Sequence, residues 1–83
     1  MPTTLTPEEA RRAVLDALAE IAPDVDTADL QEGADFVDEL GLDSMDVLNL
    51  ATALHSSTGV DVPERDYPHL SSLQGCVSYL TTR

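Results

Sequence analysis

The sequence is poor in aromatic and basic residues. It has no tryptophan, 4% aromatic residues, a single cysteine, and only 4 Lys or Arg residues against 16 Asp or Glu. With so few aromatics, a core must be built from Leu, Val, Ile and Ala, which suits packed helices better than a β-sandwich. The lone Cys76 excludes an internal disulfide, and its apolar neighbours predict a buried small side chain and not a nucleophile. These features predict an all-α fold.

A long apolar run is also missing. No segment is long enough to span a bilayer, and residues 1–4 lack the basic and apolar regions of a signal peptide. We therefore expect no membrane association and a location in the reducing cytoplasm. The net charge of -12 argues against nucleic acids and anionic membranes as partners, because both would repel the protein. Basic protein surfaces are the expected partners.

The chain length predicts one compact domain, residues 1–83, acting as a monomer. A protein of this size buries roughly 60 to 65% of its unfolded surface, which leaves little room for a deep catalytic cleft. The first helix should begin at Thr6-Pro7-Glu8-Glu9, because Thr6 and Glu9 have the spacing of a capping box and Pro7 suits the first helical position. Its core-facing residues should be Ala10, Val14, Ala17, Leu18 and Ile21, and Pro23 should end it.

From Pro23 to Leu42 the apolar period is lost, and the composition predicts a long loop with no helix. Long loops in compact domains are often held down by their own apolar residues, and the candidates here are Leu30, Phe36, Val37 and Leu40. The acidic residues of this loop resemble a calcium loop only superficially, since the position that requires Gly is Asp29. We expect a solvated acidic loop without a metal in this run: Asp24, Asp26, Asp29, Glu32 and Asp35.

The second helix is predicted from Ser44 to Thr58, with Gly59 as its C-terminal cap. At 100° per residue, one face should pack on the core, formed by Val47, Leu50, Ala51 and Leu54. A different side carries Met45, Leu48, Thr52 and His55. The apolar pair Met45 and Leu48 is therefore expected to lie off the core.

The remaining chain predicts a short third helix and a closing fourth. Pro63 to Asp66 can form about one turn before Tyr67-Pro68 ends it. Ser71-Ser72 can cap a last helix, with an apolar face of Leu73, Cys76, Val77 and Leu80. His69 has no neighbouring Cys or His and is expected to be a surface residue, not a metal ligand. The predicted architecture is a small four-helix bundle with three main helices, a short third helix and a long loop between the first two helices.

Ser44 is the candidate functional residue, because a phosphate ester is electrostatically favoured at a helix N-terminus. Ser and Asp at such a position are also ordinary helix caps, so position alone leaves both interpretations open. A hydrolytic pair with His55 is not expected: it lies eleven positions further along the same helix, some 15 Å away by helix rise, and no Gly-x-Ser-x-Gly motif is present. No catalytic residue is predicted.

The segment Phe36-Val37-Asp38-Glu39-Leu40-Gly41-Leu42-Asp43-Ser44-Met45-Asp46 resembles the stretch around the modified serine of the acyl carrier protein family. The resemblance extends to Leu80 and implies a 4'-phosphopantetheine arm, derived from coenzyme A and attached to Ser44 by a phosphopantetheinyl transferase. It implies that Asp43 is read by the transferase and that Met45 is an apolar contact. Acyl groups would travel on the arm as thioesters between the acyl-loading and acyl-processing enzymes of fatty acid, polyketide or related biosynthesis.

One departure from the family bears on the partners. Many carriers of fatty acid synthesis have several acids along the second helix, whereas the residues after Asp46 here include Asn49, Thr52, His55, Ser56 and Ser57. We therefore hypothesise docking of basic partner surfaces through Met45 and Leu48, with Asp43 and Asp46 at the rim and Thr52 and His55 on the same side. Two alternatives stay open: a peptidyl carrier, although Gly41-Leu42-Asp43 replaces its usual Gly-Gly, and an unmodified helical interaction module.

Overall fold

The computed structural model describes residues 5–24 and 30–82. In these residues the secondary structure consists of helices alone: α1 (Pro7–Ile21), α2 (Phe36–Leu40), α3 (Ser44–Thr58), a 3-10 helix (Glu64–Leu70) and α4 (Leu73–Thr81). Helix α1 packs against α3 and α4, and the 3-10 helix packs against the same two helices. The predicted all-α bundle is confirmed. No helix of the described ranges is long and apolar enough to cross a membrane.

Helix α1 begins as predicted. The Thr6 hydroxyl accepts a hydrogen bond from the Glu9 N–H at 3.1 Å, and the Glu9 carboxylate accepts one from the Thr6 N–H at 3.0 Å. This reciprocal capping box satisfies backbone donors that a helix start otherwise leaves unpaired. The predicted core face is buried at Ala10, Val14, Ala17 and Leu18, and Ile21 is half-buried.

The prediction of a loop without a helix before Leu42 is wrong, because α2 lies within it. The Asp35 carboxylate starts α2 by accepting hydrogen bonds from the N–H groups of Val37 and Asp38, at 2.8 and 3.3 Å. Gly41 ends the helix in the left-handed conformation, with φ of 70°, which glycine adopts without the steric cost of a Cβ. A five-residue helix is shorter than two turns, so it cannot produce a repeating apolar pattern.

The predicted apolar anchors of this segment divide into two groups. Phe36 is fully buried, and Leu30 and Leu40 pack partly against the core. Val37 is 50% exposed, so its prediction as an anchor is wrong. Side chains at successive helix positions point about 100° apart. Because Phe36 points into the core, its neighbour Val37 points toward solvent.

Backbone hydrogen bonds join α2 and the segment before it to the start of α4 and the residues before it. The N–H of Gln74 donates to the Glu32 carbonyl at 2.8 Å, and the N–H of Phe36 donates to the Ser71 carbonyl at 2.7 Å. Arg11 on α1 also forms an ion pair with Glu32, but about half of each side chain is exposed to solvent, and such pairs contribute little. These bonds hold α2 against the bundle. Of the acidic run expected to be solvated, Asp26 and Asp29 lie outside the described residues.

The third helix is longer than predicted. The prediction of a single turn ended by Tyr67-Pro68 is wrong, since the 3-10 helix continues through Pro68 to Leu70. The fixed φ of proline is compatible with helical backbone, although its ring crowds the preceding turn and its nitrogen cannot donate a hydrogen bond. Leu70 is fully buried, and the Tyr79 hydroxyl donates to the Asp66 carboxylate at 2.7 Å. Both contacts hold the 3-10 helix in place.

Helix α4 approaches the end of the 3-10 helix closely at Gly75. The His69 carbonyl oxygen lies 2.5 Å from the place that a Cβ on Gly75 would occupy. The Ser72 hydroxyl caps α4 by accepting from the Gly75 N–H at 3.0 Å. His69 is exposed, as predicted, and its ring stacks on Tyr79 with centroids 5.5 Å apart. Glycine at position 75 therefore sets the separation between the two helices.

The core lies between α1, α3 and α4. On α3, the predicted face is buried at Leu50, Ala51 and Leu54. Val47, expected on that face, is only half-buried, because a first helical turn has neighbours on fewer sides. Cys76 on α4 is fully buried, as predicted.

Candidate functional site

Ser44 is the first residue of α3, and Asp43, not Ser44, is its cap. The Asp43 carboxylate accepts a hydrogen bond from the Asp46 N–H at 2.9 Å, and the Asp46 carboxylate accepts one from the Asp43 N–H at 3.3 Å. The sequence analysis considered whether Ser44 is a helix cap or a modified residue, and it missed this reciprocal pair. The Asp-x-x-Asp spacing is the signal that could have revealed it. The Ser44 hydroxyl is exposed and has no hydrogen-bond partner among the residues that the structure describes.

The backbone holds Ser44 in place from both sides. Leu42, two residues earlier, is buried, and its N–H donates to the Phe36 carbonyl at 3.3 Å. On the other side, the Val47 N–H donates to the Asp43 carbonyl at 3.0 Å and begins the hydrogen bonding of α3. The position of Ser44 is therefore fixed by the buried Leu42 before it and by the first turn of α3 after it.

The charge around Ser44 has two opposing components. The N–H groups of the first helical turn and the helix dipole favour a phosphate ester at this point. The carboxylates of Asp43 and Asp46 add negative charge beside it, and the sequence has no Lys or Arg between Arg12 and Arg65. A protein that approaches Ser44 with basic residues is therefore attracted, while the helix start still tolerates a phosphate.

A shallow groove of about 350 Å³ begins at Ser44 and runs between α3 and the 3-10 helix. Its other lining residues are Met45, Leu48, Glu64 and Tyr67. Met45 is 61% exposed and Leu48 is 40% exposed, which confirms that this apolar pair lies off the core. Glu64 and Tyr67 were not predicted as site residues, because the sequence does not show that the 3-10 helix packs against α3.

Thr52 and His55 are exposed further along α3, on the side expected from the sequence. The Thr52 hydroxyl donates to the Leu48 carbonyl at 3.0 Å. Both residues line a separate depression of about 180 Å³, together with Ala51, Asp61, Val62 and Tyr67. Their predicted role in binding partners stays a prediction. His55 and Ser44 lie near opposite ends of α3, eleven residues apart, so they cannot form a hydrolytic pair.

Nucleophilic chemistry by a cysteine and metal binding were also considered. Burial raises the pKa of the Cys76 thiol to about 12, so the thiol stays protonated and unreactive in the folded protein. Within residues 5–24 and 30–82, no group of three His, Cys, Asp or Glu side chains could hold a metal ion. The exposed Ser44 hydroxyl, at a helix start beside an apolar groove, fits a covalently attached phosphate ester.

Comparison with known proteins points to the same chemistry. The family model for the phosphopantetheine attachment site matches residues 12–80. Polyketide-8 synthase acyl carrier protein 2 of Streptomyces avermitilis is 33% identical over 81 residues, which cover 98% of this chain and 87% of the relative. An acyl carrier protein of Solidesulfovibrio magneticus is 30% identical over 73 residues, which cover 88% of this chain and 87% of the relative.

Proposed function

The chain belongs to the phosphopantetheine-binding family of acyl carrier proteins, and from this membership we propose that Ser44 carries the arm. Proteins of this family are non-catalytic carriers that hold phosphopantetheine covalently. The observation that supports Ser44 is its hydroxyl, which is exposed at the start of α3 and has no hydrogen-bond partner in the described ranges. The two carboxylates beside it cap the helix, so they hold the serine in position while leaving its hydroxyl accessible.

A phosphopantetheinyl transferase is the proposed source of the arm. The Ser44 Oγ forms the new bond to phosphorus, its proton passes to the transferase, and the nucleotide part of coenzyme A leaves. When bound, the arm supplies a terminal thiol that holds acyl groups as thioesters. The reducing cytoplasm, which is the proposed location, keeps such a thiol free of disulfides.

The proposed docking surface for partner enzymes is centred on the exposed pair Met45 and Leu48, with Asp43 and Asp46 at its rim. Apolar contact at the centre and charge at the rim is the usual arrangement of a protein interface. The charge promotes fast association with the basic surfaces of acyl-loading and acyl-processing enzymes, and the small apolar area keeps each encounter brief. A carrier that visits several enzymes needs both properties.

The attachment site is tested by intact-mass measurement after incubation of the purified monomeric chain with coenzyme A and a broad-specificity phosphopantetheinyl transferase. We expect the mass to rise by a single arm. The Ser44→Ala variant should show no increase, whereas Ser56→Ala, a matched change at another exposed serine of α3, should be loaded like the wild type. Loading of Ser44→Ala would contradict the proposal, and wild-type protein that several transferases leave unloaded would favour an unmodified interaction module.

We further propose that the acyl groups belong to a polyketide-type pathway. The support is the relative named as a polyketide synthase carrier and the absence of carboxylates in α3 after Asp46. The test compares turnover of one acylated form of the protein by a ketosynthase of fatty acid elongation and by a polyketide ketosynthase. Preference for the polyketide enzyme is expected, and equal use of both enzymes would refute the proposal.

A further inference from the structure

Three large apolar side chains are exposed in the described part of the chain, and all three lie close to Ser44 in sequence. Val37 is 50% exposed, Met45 61% and Leu48 40%. Single exposed apolar residues are normal on a protein surface. In the described ranges, however, all of them fall between positions 37 and 48, in the segment that contains Ser44. Met45 and Leu48 belong to the docking surface proposed above, but Val37 lies on α2, outside it.

Val37 is held in its exposed position by the backbone of α2. Its neighbour Phe36 is fully buried, and its own carbonyl accepts a hydrogen bond from the Gly41 N–H at 3.1 Å. One helical turn followed by three extended residues spans at most about 17 Å, so the Cα atoms of Val37 and Ser44 lie within that distance. A standard interface patch of about 800 Å² is about 30 Å across. A patch of this size centred on Ser44 reaches about 15 Å to each side, so an enzyme that covers Ser44 reaches the C-terminal end of α2 and meets Val37 at or near the rim of the patch.

The charge next to Val37 identifies the kind of partner that fits this extension. Asp38 and Glu39 follow Val37 on α2, and both are exposed. In the described ranges, neither carboxylate takes part in a hydrogen bond or an ion pair. Both are thus available to Lys or Arg side chains of a partner. α3 has no carboxylate after Asp46. Glu64 adds negative charge on the groove side of Ser44, and Asp38 and Glu39 add it on the α2 side.

We propose that the phosphopantetheinyl transferase docks across Ser44 onto α2, with Val37 entering a shallow apolar depression and Asp38 and Glu39 facing basic residues. This inference rests on the proposed attachment of the arm to Ser44 and specifies the surface through which the transferase recognises the chain. The transferase, and not a second copy of the chain, is the occupant, because two copies would bring equal negative charges together.

The test measures KM and kcat of a phosphopantetheinyl transferase for the unmodified protein, with coenzyme A saturating. Val37→Ser removes the apolar contact, and Asp38→Asn with Glu39→Gln removes the two charges. We expect each change to raise KM about 3- to 10-fold with kcat nearly unchanged, and the charge variant to weaken the dependence of KM on salt. Val37→Thr, which keeps the shape of the side chain, serves as a second variant if Val37→Ser is unstable.

The matched control is Asp16→Asn with Glu20→Gln on α1, since both side chains are exposed and the same two charges are removed. Its KM should stay within about twofold of the wild type, because only long-range attraction changes. An equal rise of KM in this control, or wild-type KM in the α2 variants, would overturn the inference. Failure of the proposed function is distinguishable, because the wild-type protein itself would then take up no arm.

Discussion

Replacement of Gly75 by alanine tests the close approach between α4 and the 3-10 helix. The new Cβ would lie 2.5 Å from the His69 carbonyl oxygen. The oxygen belongs to the backbone, so it cannot move away as a flexible side chain would. Relief of the clash must shift the end of the 3-10 helix, where the next residue is the fully buried Leu70. Overpacking of this kind costs typically about 1 to 3 kcal/mol.

The gain in helix propensity on changing Gly to Ala is about 1 kcal/mol at most, and position 75 lies in the first turn of α4, where this gain is smaller. We therefore expect Gly75→Ala to lower the free energy of unfolding by about 1 to 2 kcal/mol. For a domain of this size, that change corresponds to a decrease in Tm of roughly 5 to 15 °C. Urea and thermal unfolding followed by circular dichroism at 222 nm measure both quantities.

Gly33 provides the matched control. A Cβ at this position meets nothing within 4 Å, and its φ lies outside the left-handed range. Gly33→Ala should leave stability unchanged or raise it by up to about 1 kcal/mol, since alanine restricts the unfolded chain. Wild-type stability of Gly75→Ala, or equal destabilisation of both variants, would refute the reasoning from the close contact.

Three further predictions follow from individual contacts. Because burial raises the pKa of Cys76 to about 12, iodoacetamide at pH 8 should leave the unmodified folded protein unlabelled and label it after unfolding; rapid labelling of the folded form would contradict this. Asp43→Ala should cost about 1 kcal/mol through loss of the cap of α3, measured by urea unfolding, whereas Asp61→Ala should change stability by less than about 0.5 kcal/mol. Tyr79→Phe removes the hydrogen bond to Asp66 and should lower the free energy of unfolding by about 1 to 3 kcal/mol; an unchanged Tm would show that the bond contributes nothing.

The sequence predicted the elements whose signals are local and repeated. Thr6, Pro7 and Glu9 mark the start of α1 within four positions, and Gly59 marks the end of α3. Over about four turns, an apolar face repeats often enough to be recognised. The long helices and their main core residues could therefore be predicted without knowledge of tertiary contacts.

The short elements depend on contacts that the sequence does not display. Helix α2 is too short to show the repeating apolar pattern of a helix, and its position is set by backbone hydrogen bonds to the start of α4. Pro68 is a strong local signal for a break, but the buried Leu70 and the Asp66 contact continue the 3-10 helix past it. In both cases tertiary packing outweighs the local preference. The errors at Val37 and Tyr67 have the same origin.

The exposure of the apolar pair beside Ser44 was predicted, but the second element that lines the groove was not. Ser44 and the exposed pair Met45 and Leu48 could be identified from the motif and from the helical period. The groove residues Glu64 and Tyr67 could not, because they reach the serine only when the 3-10 helix packs against α3. A surface formed by two elements that are distant in sequence needs the fold before it can be recognised.

The capping pair of Asp43 and Asp46 has a kinetic consequence. It fixes the base of the proposed arm to a rigid helix end, so a thiol at the far end of the arm explores a bounded volume near the docking surface. A short flexible tether presents its end at a local concentration of the order of millimolar, whatever the concentration in bulk solution. Once an enzyme is docked, its reaction rate then becomes independent of how dilute the protein is in the cell. Abundance of the protein controls how often an enzyme is visited, not how fast it works during a visit.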